Sequence, residues 1–506
     1  MRILIIGYNL LGFSLCESND VDYYVNLIES ESKRAATFVL PTHSKTEKPF
    51  SKDFIEYGKF DHIVVGAGSA GGIVASRLSE DQFREVLLLE AGGPDTNFTE
   101  IPGVMGILWD LEYNWGYHTV PQSTYCLGMK EKRCSYLRGK ALGGSSTINS
   151  LIYTRGSKRD FDNWCAEGNP GWCYKDVLPY FKKVENSNIN DDPFYHGFGG
   201  YINLEYSKPH TKKQRAFIEA NIELNRTFLD YNGFRQEGVG MTQMNTKNGR
   251  RCSTGTTYLR TAFKRKNLKI LTQSHVTRVL INPKTKTAFG VLFAKNNKYY
   301  VAKSRKDIVI SAGAIGSPQL LMLSGVGPNL HIQQFGIPVL ENLSVGIMII
   351  LLHPQSRGYI KLKSSDPFDY PIIDSRGFSD VNYKDIETVY EGVHLCLNLL
   401  ETKAFKNLDA KLHRVHLPTC KEFVYMSKDY WYCHMRQLSS SFAHVVGTCK
   451  MGPDPFQGAV VDHQLKVYGI NNLRVADASI MPLIPGAHTN APTMMIGEKA
   501  AAMIRL

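Results

Sequence analysis

The fold is decided by residues 60–72, which read FDHIVVGAGSAGG. The first half of this stretch is apolar, as in a strand buried on both faces. The second half has glycines at Gly66, Gly68 and Gly71. With this spacing Gly66 permits a tight turn, Gly68 lets the backbone approach a pyrophosphate, and Gly71 allows close packing of helix on strand. We therefore predict that this turn, including Ser69, binds a dinucleotide.

The residues that follow complete a strand–helix–strand unit. Residues 73–78 have a helical pattern, residues 86–89 form a second apolar strand, and Glu90 stands 19 residues after Gly71. The phosphates of a dinucleotide bind at the N-terminus of such a helix. An acid at this distance accepts hydrogen bonds from ribose hydroxyls. The unit predicts a dinucleotide site but does not separate NAD from FAD.

Three further segments combine small residues with strand or helix patterns. Residues 138–149 read RGKALGGSSTIN, which suits backbone lying against a flat ring or a diphosphate but is also compatible with a surface turn. Residues 308–327 predict a strand and then a helix, capped by Ser317 and Pro318 and closed by glycine. Residues 473–479, LRVADAS, predict a strand followed by a turn that carries an acid.

Taken together, these segments resemble the glucose–methanol–choline (GMC) flavin oxidoreductases, and among them the insect glucose-dehydrogenase-like branch. The resemblance covers residues 58–345 and 352–504 and includes two long family signatures, at 139–153 and 313–327. It implies FAD as the cofactor. It also implies an α/β fold in which a Rossmann-like FAD-binding domain is interleaved with an α+β substrate domain built on an antiparallel sheet.

The resemblance divides the chain into alternating segments. We expect a signal peptide at 1–16, a leader at 17–58, the FAD-binding domain at 59–170, 241–330 and 446–506, and the substrate domain at 171–240 and 331–445. Near 346–352 the family pattern jumps to a later block, so the substrate domain is expected to be curtailed. Such a loss should expose apolar surface or leave sheet edges unpaired.

The resemblance also implies the catalytic residues. A flavin alcohol oxidoreductase needs a base for the hydroxyl proton while the flavin takes the hydride, and a histidine, with a pKa of about 6.5, suits that role. His444 occupies the position of the family's catalytic histidine, although Ala443 and Val445 stand where Tyr and Pro are usual. For the second group, which hydrogen-bonds the substrate oxygen, we choose Asn490 over the nearby His488.

The FAD contacts implied by the resemblance come from all parts of the flavin domain. They are Gly66, Gly68, Ser69, Gly71, Glu90, Gly143, Ser146, Asn149, Val276, Asp477 and Ala478. Asn149 and Ser146 are expected at the isoalloxazine, Val276 at the adenine, and Asp477 with Ala478 at the pyrophosphate and ribityl region. No metal site is expected, because the ten cysteines include no Cys-x-x-Cys pair and no His-Glu-x-x-His occurs.

The N-terminus favours export. Residues 1–16 combine a basic start with a short apolar stretch, which is typical of a secretory signal cleaved near Cys16, although a buried first strand is the alternative. Sequons begin at Asn97, Asn225 and Asn342. We therefore expect a secreted glycoprotein.

Two pairs of cysteines have the spacing of short loops. Cys126 and Cys134 flank a polar stretch, and Cys165 and Cys173 are separated by the same distance. In an oxidising compartment both pairs are expected to form disulfides. Loss of Cys16 with the signal leaves nine cysteines, so at least one thiol should stay free.

Composition narrows the function further. Lys and Arg number 59 against 47 Asp and Glu, a net charge of +12, but the basic residues are scattered and match no nucleic-acid motif. No run approaches the ~18 apolar residues of a membrane span.

We predict an FAD-dependent oxidoreductase of the CH–OH group of an alcohol or sugar, with oxygen or a quinone as electron acceptor. The alternatives are a catalytically impaired FAD-binding remnant and a lyase on the same scaffold. A serine hydrolase is disfavoured because no Gly-x-Ser-x-Gly occurs.

Overall fold

A computed structural model of the protein describes residues 18–51, 53–189, 192–208, 210–326, 349–407, 412 and 416–505. The helices are α1 Ser18–Ala35, α2 Gly71–Leu78, α3 Met105–Trp109, α4 Ser145–Ile148, α5 Lys158–Ala166, α6 Tyr174–Val184, α7 Lys212–Glu223, α8 Arg260–Ala262, α9 Gly313–Leu323, α10 Lys384–Leu400, α11 Lys403–Lys406, α12 Lys428–Leu438 and α13 Asn490–Arg505. The strands are β1 Phe54–Phe60, β2 His62–Val65, β3 Val86–Leu89, β4 Tyr117–His118, β5 Ser135–Tyr136, β6 Glu185–Ser187, β7 Ile202–Tyr206, β8 Gln243–Met244, β9 Thr246–Lys247, β10 Arg250–Arg251, β11 Leu268–Leu271, β12 His275–Asn282, β13 Thr287–Lys295, β14 Lys298–Ser304, β15 Ile308–Ile310, β16 Tyr359–Lys361, β17 Ile372–Asp374 and β18 Leu473–Val475.

One parallel sheet collects strands from three distant parts of the chain. Its order is β11-β3-β2-β15-β18. Every residue of β2, β3, β15 and β18 is buried, which explains why most of them read as continuous apolar runs in the sequence. The strands lie within the predicted segments 59–170, 241–330 and 446–506, so these segments meet in a single sheet. The Rossmann-like α/β architecture predicted from the glycine turn is confirmed.

The helix after β15 begins earlier than predicted. It starts at Gly313, so Ser317 and Pro318 lie inside α9 rather than at its N-terminal cap. The reason is a contact from another segment: the carboxylate of Asp477 accepts a hydrogen bond from the Gly313 amide at 2.8 Å and caps the helix four residues earlier. Gly325, with φ of 87°, lies just beyond the end of the helix, in agreement with the prediction.

The predicted leader is part of the folded structure. Its helical stretch forms α1, and its last residues form β1, which pairs in parallel with β14 at the edge of the sheet β1-β14-β13-β12. Between α1 and β1, Glu47 lies 2.9 Å from Nδ1 of His275 in the flavin domain, and Lys48 lies 2.6 Å from Asp366 in the predicted substrate domain. The leader thus connects the two domains.

The predicted substrate domain has little sheet in the described residues. Strands β6, β7 and β8 form a small mixed sheet, and β16 pairs with β17 as a two-stranded antiparallel ribbon. Helices α10 and α12 pack beside this ribbon. Of the predicted junction near 346–352, residues 346–348 lie outside the described residues. The predicted curtailment of the substrate domain stays a prediction.

Both predicted disulfides are present, together with one that was not predicted. Bonds join Cys126 to Cys134, Cys165 to Cys173, and Cys420 to Cys433. The free thiols of the described chain are Cys252, Cys396 and Cys449. None of the helices within the described ranges has the length and apolar character to cross a membrane.

Candidate active site

A cavity of about 2850 Å³ opens at the carboxyl ends of the central strands, where parallel sheets bind their ligands. Its volume exceeds the roughly 300–1,000 Å³ of an ordinary ligand pocket. The predicted site residues that line it are Gly66, Gly68, Ser69, Glu90, Asn149, Val276, His444, Asp477, Ala478 and Asn490. The predicted residues Gly71, Gly143 and Ser146 are buried behind this lining.

The three glycines of the first turn differ in the space around them. A Cβ on Gly66 would lie 2.3 Å from the carbonyl oxygen of Ser311, and one on Gly71 would lie 2.0 Å from the carbonyl oxygen of Gly66. A Cβ on Gly68 would meet nothing closer than 3.9 Å. Packing within the protein therefore requires glycine at two of the positions, while Gly68 leaves open space of the kind that a pyrophosphate lying against backbone requires. The residues present fit a dinucleotide.

Glu90 fixes the shape of this turn from the end of β3. Its buried carboxylate accepts hydrogen bonds from the amides of Ala67 and Gly92, each at 2.8 Å, and burial raises its pKa. The Ser274 amide donates to the Glu90 carbonyl at 2.8 Å, which places the start of β12, with Val276, beside Glu90 along the cavity. The predicted ribose and adenine contacts are thus neighbours.

The second glycine loop packs directly on the first. The Gly143 amide donates to the Ala67 carbonyl at 2.9 Å, and a Cβ on Gly144 would lie 2.7 Å from Cα of Gly68. Ser146 is buried, and its hydroxyl donates to the Gly143 carbonyl at 2.6 Å. Ser146 therefore shapes the loop from within and does not face the cavity as predicted.

Asn149 ends this loop and does face the cavity. Its carbonyl oxygen and its Oδ1 both accept hydrogen bonds from Nη1 of Arg251, at 2.7 and 2.8 Å. Arg251 is fully buried, and burial lowers its pKa to about 9. The sequence did not single out Arg251. Its neighbours in the sequence are basic and do not indicate that it is buried, and Asn149, which it contacts, lies about a hundred residues earlier in the chain.

Asp477 ties β18 to the beginning of α9. Its buried carboxylate accepts from the Gly313 amide, from the Ser317 hydroxyl at 2.5 Å, and from the Ser479 amide at 2.8 Å. Burial raises its pKa. With its oxygens engaged by the protein, Asp477 holds the turn in a shape that leaves Ala478 at the cavity wall.

Two histidines meet in the wall of the cavity. Nε2 of His444 lies 3.3 Å from Nδ1 of His488, and the two rings are nearly perpendicular with centroids 5.1 Å apart. Burial, followed by the proximity of His488 and Arg138, lowers the pKa of His444 to about 3, and burial also lowers the pKa of His488. Both rings are therefore neutral near pH 7 and able to accept a proton.

Asn490, our choice for the second catalytic group, lines the same cavity as His444. It is the first residue of α13, and its Oδ1 accepts a hydrogen bond from the Ser69 hydroxyl at 2.7 Å. Its side chain is therefore held at the glycine turn, where the helix begins. The structure places His488, the residue that we set aside, against the predicted base.

Comparison with protein families gives matches along most of the chain. Residues 60–347 match the N-terminal profile of the GMC oxidoreductase family, and residues 354–497 match its C-terminal profile. Glucose dehydrogenase (FAD, quinone) of Drosophila pseudoobscura pseudoobscura is 33% identical over 548 residues, covering 88% of this chain and 87% of that protein. Alcohol dehydrogenase (acceptor) of Pseudomonas putida is 32% identical over 542 residues, covering 88% of this chain and 95% of that protein.

Solved structures of similar shape include pyridoxine 4-oxidase from Mesorbium loti, at a TM-score of 0.77 and 26% identity, covering 88% of this chain and 99% of that one. A fungal aryl-alcohol oxidase has the same fold, at a TM-score of 0.73 and 22% identity, with 88% and 98% of the two chains covered. The alignment with the Drosophila enzyme is longer than the 506 residues of this chain, so parts of that enzyme have no counterpart here.

Proposed function

Because this chain belongs to the GMC oxidoreductase family, and is thus an FAD-dependent oxidoreductase of CH–OH donors, we propose that His444 and His488 are its catalytic pair. The observation that carries the proposal is their contact, 3.3 Å between ring nitrogens, in the wall of the cavity that also contains the glycine turn. His444 accepts the hydroxyl proton of an alcohol or sugar, and His488 takes the role that the sequence suggested for Asn490.

The geometry suits this division of work. The low pKa of His444 keeps its ring unprotonated, as a general base must be before it reacts. The facing nitrogens are 3.3 Å apart, so a substrate hydroxyl that replaces their mutual hydrogen bond would be close to both rings. The Phe442 ring packs against them, with centroids 5.1 Å from His444 and 5.5 Å from His488, and restricts their rotation. FAD, when bound, supplies the acceptor for the hydride that leaves the same carbon.

The residues at the glycine turns would hold the cofactor. Gly66, Gly68 and Ser69 would contact the diphosphate of FAD, and Glu90 at the end of β3 would contact the adenosine ribose. Asn149, which lines the same cavity, would contact the isoalloxazine. These residues bind and orient the cofactor, whereas the proton chemistry is carried out by the histidine pair.

We propose a quinone as the electron acceptor. Support comes from the Drosophila relative, which is named for that acceptor. The purified protein should therefore reduce a quinone dye in the presence of its donor and release little hydrogen peroxide. Peroxide production at the same rate as donor oxidation would favour oxygen.

We also propose that the protein is secreted and glycosylated. The disulfides Cys126–Cys134 and Cys165–Cys173 fit an oxidising compartment. The sequon residues Asn97 and Asn225 are exposed, whereas Asn342 and the proposed signal peptide lie outside the described residues. Expression in insect cells with glycosidase treatment and intact mass measurement of the medium tests this. Protein that stays in the cells without a mass change would contradict it.

A second candidate function is an FAD-binding remnant without catalytic activity. It is favoured by the family profiles, which end at 347 and resume at 354, and by the length of the alignment with the Drosophila enzyme. Sequencing the transcript across the codons for residues 340–355 would reveal an intervening exon if an ordinary enzyme is encoded. A remnant would bind flavin and show no reduction by any donor.

The experiment that tests the proposed function is a donor screen on the purified protein. We expect flavin absorbance in the wild type, and loss of that absorbance when the correct alcohol or sugar is added without oxygen. The His444→Ala variant should retain the flavin and resist reduction. Absence of bound flavin from folded wild-type protein would contradict the assignment.

A further inference from the structure

Arg138 reaches from the flavin domain to the segment that carries the predicted base. It follows β5 and precedes the second glycine loop, and its Nη2 donates a hydrogen bond to the carbonyl oxygen of Ala443, 305 residues away in the sequence. Ala443 is the residue directly before His444. The contact thus connects a wall of the cavity to the backbone beside the base.

The guanidinium of Arg138 has no acidic partner among the described residues. Its Nε is buried without a hydrogen-bond partner, and burial lowers its pKa to about 10. A half-buried cation that lines the cavity without an acidic partner is retained at a cost to stability. Among the described residues, the side chain of Arg138 donates to one protein acceptor, the Ala443 carbonyl. We therefore look for the function of Arg138 in its effect on Ala443.

Ala443 has a backbone conformation that needs external support. Its φ is 60°, in the left-handed region that alanine seldom adopts. Alanine has no polar side chain with which to stabilise that conformation. The bond from Arg138 holds the carbonyl in place, and the left-handed residue turns the chain so that the next ring, His444, meets His488.

We propose that Arg138 is a positioning residue for the catalytic histidine: its guanidinium holds Ala443 in the left-handed conformation and thereby aims His444 at His488 and the cavity. This inference rests on the proposed function of His444. The charged and titratable groups that face His444 are Arg138, beyond β5, and His488, before α13. The cation at Arg138 also opposes protonation of the ring.

The test compares Arg138→Met with the double variant Arg138→Met/Ala443→Gly. Methionine keeps much of the side-chain volume but removes the donor and the charge, and misplacement of the base by about 1 Å costs about 100-fold in kcat. We expect that loss with KM nearly unchanged and with full flavin content. Glycine adopts a φ of 60° without support, so the double variant should regain part of the lost kcat. Arg305→Met, at an exposed site, is the matched control.

A purely structural role for Arg138 predicts a different outcome. Loss of stability without a selective fall in kcat, or no recovery in the double variant, would overturn the inference. If Arg138→Met does not accumulate as folded protein, Arg138→Gln decides, because glutamine keeps a polar side chain but is two atoms too short to donate to the Ala443 carbonyl. Wild-type kcat in folded, flavin-loaded Arg138→Gln would then also overturn it.

A measurement that needs no substrate separates this inference from the proposed function. In protein labelled with ¹⁵N-histidine, the ring signals of His444, assigned by their absence in His444→Asn, should move in Arg138→Met. They should return toward their wild-type positions in Arg138→Met/Ala443→Gly, which restores the backbone conformation but not the charge. Unchanged signals in Arg138→Met, or no return in the double variant, would overturn the inference. If no alcohol reduces the wild-type flavin, the proposed function fails, whereas these signals still decide the role of Arg138.

Discussion

The flavin side and the substrate side of the molecule differ in the size of their sheets and in how deeply the strands are buried. On the flavin side, strands from three distant segments form a parallel sheet in which β2, β3, β15 and β18 are fully buried. On the substrate side, the described strands of the predicted second segment, β16 and β17, form a two-stranded ribbon, and all residues of β16 are only partly buried. The central strands of the flavin side are thus enclosed on both faces, whereas the ribbon of the substrate side keeps contact with solvent. We therefore expect substitutions on the flavin side to have the larger effects on stability.

The largest effect is expected at the turn of the flavin side. In Gly66→Ala the new Cβ would lie 2.3 Å from the Ser311 carbonyl oxygen at a φ of 97°, so we expect no soluble folded protein. In Gly68→Ala the space is open, so the protein should fold and instead lose FAD affinity. Urea unfolding and a fluorescence titration with FAD measure the two properties.

Gly93 provides the control, because a Cβ there would meet nothing within 4 Å, its φ is not positive, and it does not line the cavity. Gly93→Ala should change neither property. Wild-type stability in Gly66→Ala would contradict the close contact at that position. Wild-type FAD affinity in Gly68→Ala would contradict the approach of the cofactor to Gly68.

A buried carboxylate of the flavin side, Glu498, gives the next largest effect. It accepts hydrogen bonds from Arg77 at 2.9 Å and Tyr258 at 2.7 Å, and it lies 2.8 Å from the exposed Lys183 of the predicted substrate segment. Glu498→Gln leaves Arg77 and Lys183 without their shared carboxylate, and we expect a loss of about 3 kcal/mol in the free energy of unfolding. Urea unfolding measures this.

The matched control is Glu56→Gln, at the exposed pair with Lys303. We expect that substitution to change stability by less than about 1 kcal/mol. Equal effects at the buried and the exposed site would contradict the claim that the flavin side depends on its buried charges.

The substrate side should limit stability at alkaline pH. His196 is buried with Nε2 2.7 Å from Asp230 and Nδ1 3.2 Å from Glu185. Burial opposes the charge, but these hydrogen bonds outweigh it and raise the pKa of His196 from 6.5 to about 9. Because the folded pKa is the higher, the stabilisation is complete below pH 6.5 and is lost as the pH rises through about 9, at about 3 kcal/mol in total.

Urea unfolding from about pH 6 to about pH 10 checks this expectation. The His196→Gln variant, which has no titrating ring, should lack this component of the pH dependence. A wild-type profile that is flat over the range, or one that His196→Gln does not alter, would contradict it.

The flavin side should limit stability at acid pH, with a smaller effect over the accessible range. His62 is buried at the start of β2, its ring nitrogens have no hydrogen-bond partner among the described residues, and burial lowers its pKa from 6.5 to about 4. Since the unfolded chain binds the proton more tightly, stability falls as the pH drops below 6.5, by about 2 kcal/mol near pH 5. The His62→Leu variant should not show this fall, and an unchanged profile in it would assign the acid sensitivity to other groups.

The sequence was sufficient where the structure depends on local pattern. The glycine turn, the strands beside it and the two short-loop disulfides all depend on residues close together in the chain. The start of α9 was misplaced because its cap, Asp477, comes from 164 residues away. The sequence did not show where α13 begins. The helix begins at Asn490, whose side chain contacts Ser69 in the glycine turn, while His488, before the helix, contacts His444. Arg138 and Arg251 act on backbone carbonyls far along the chain, and such contacts leave no periodic signal.

The central claim is that a complete flavin side, joined to the His444–His488 pair, oxidises an alcohol or sugar. The most direct test is the rate of anaerobic flavin reduction by the best donor in the wild type, His444→Ala and His488→Ala. The account predicts reduction in the wild type, and reduction at least about 100-fold slower in both variants while they still bind flavin. Reduction of either variant at the wild-type rate, or a flavin-loaded wild type that no donor reduces, would contradict it.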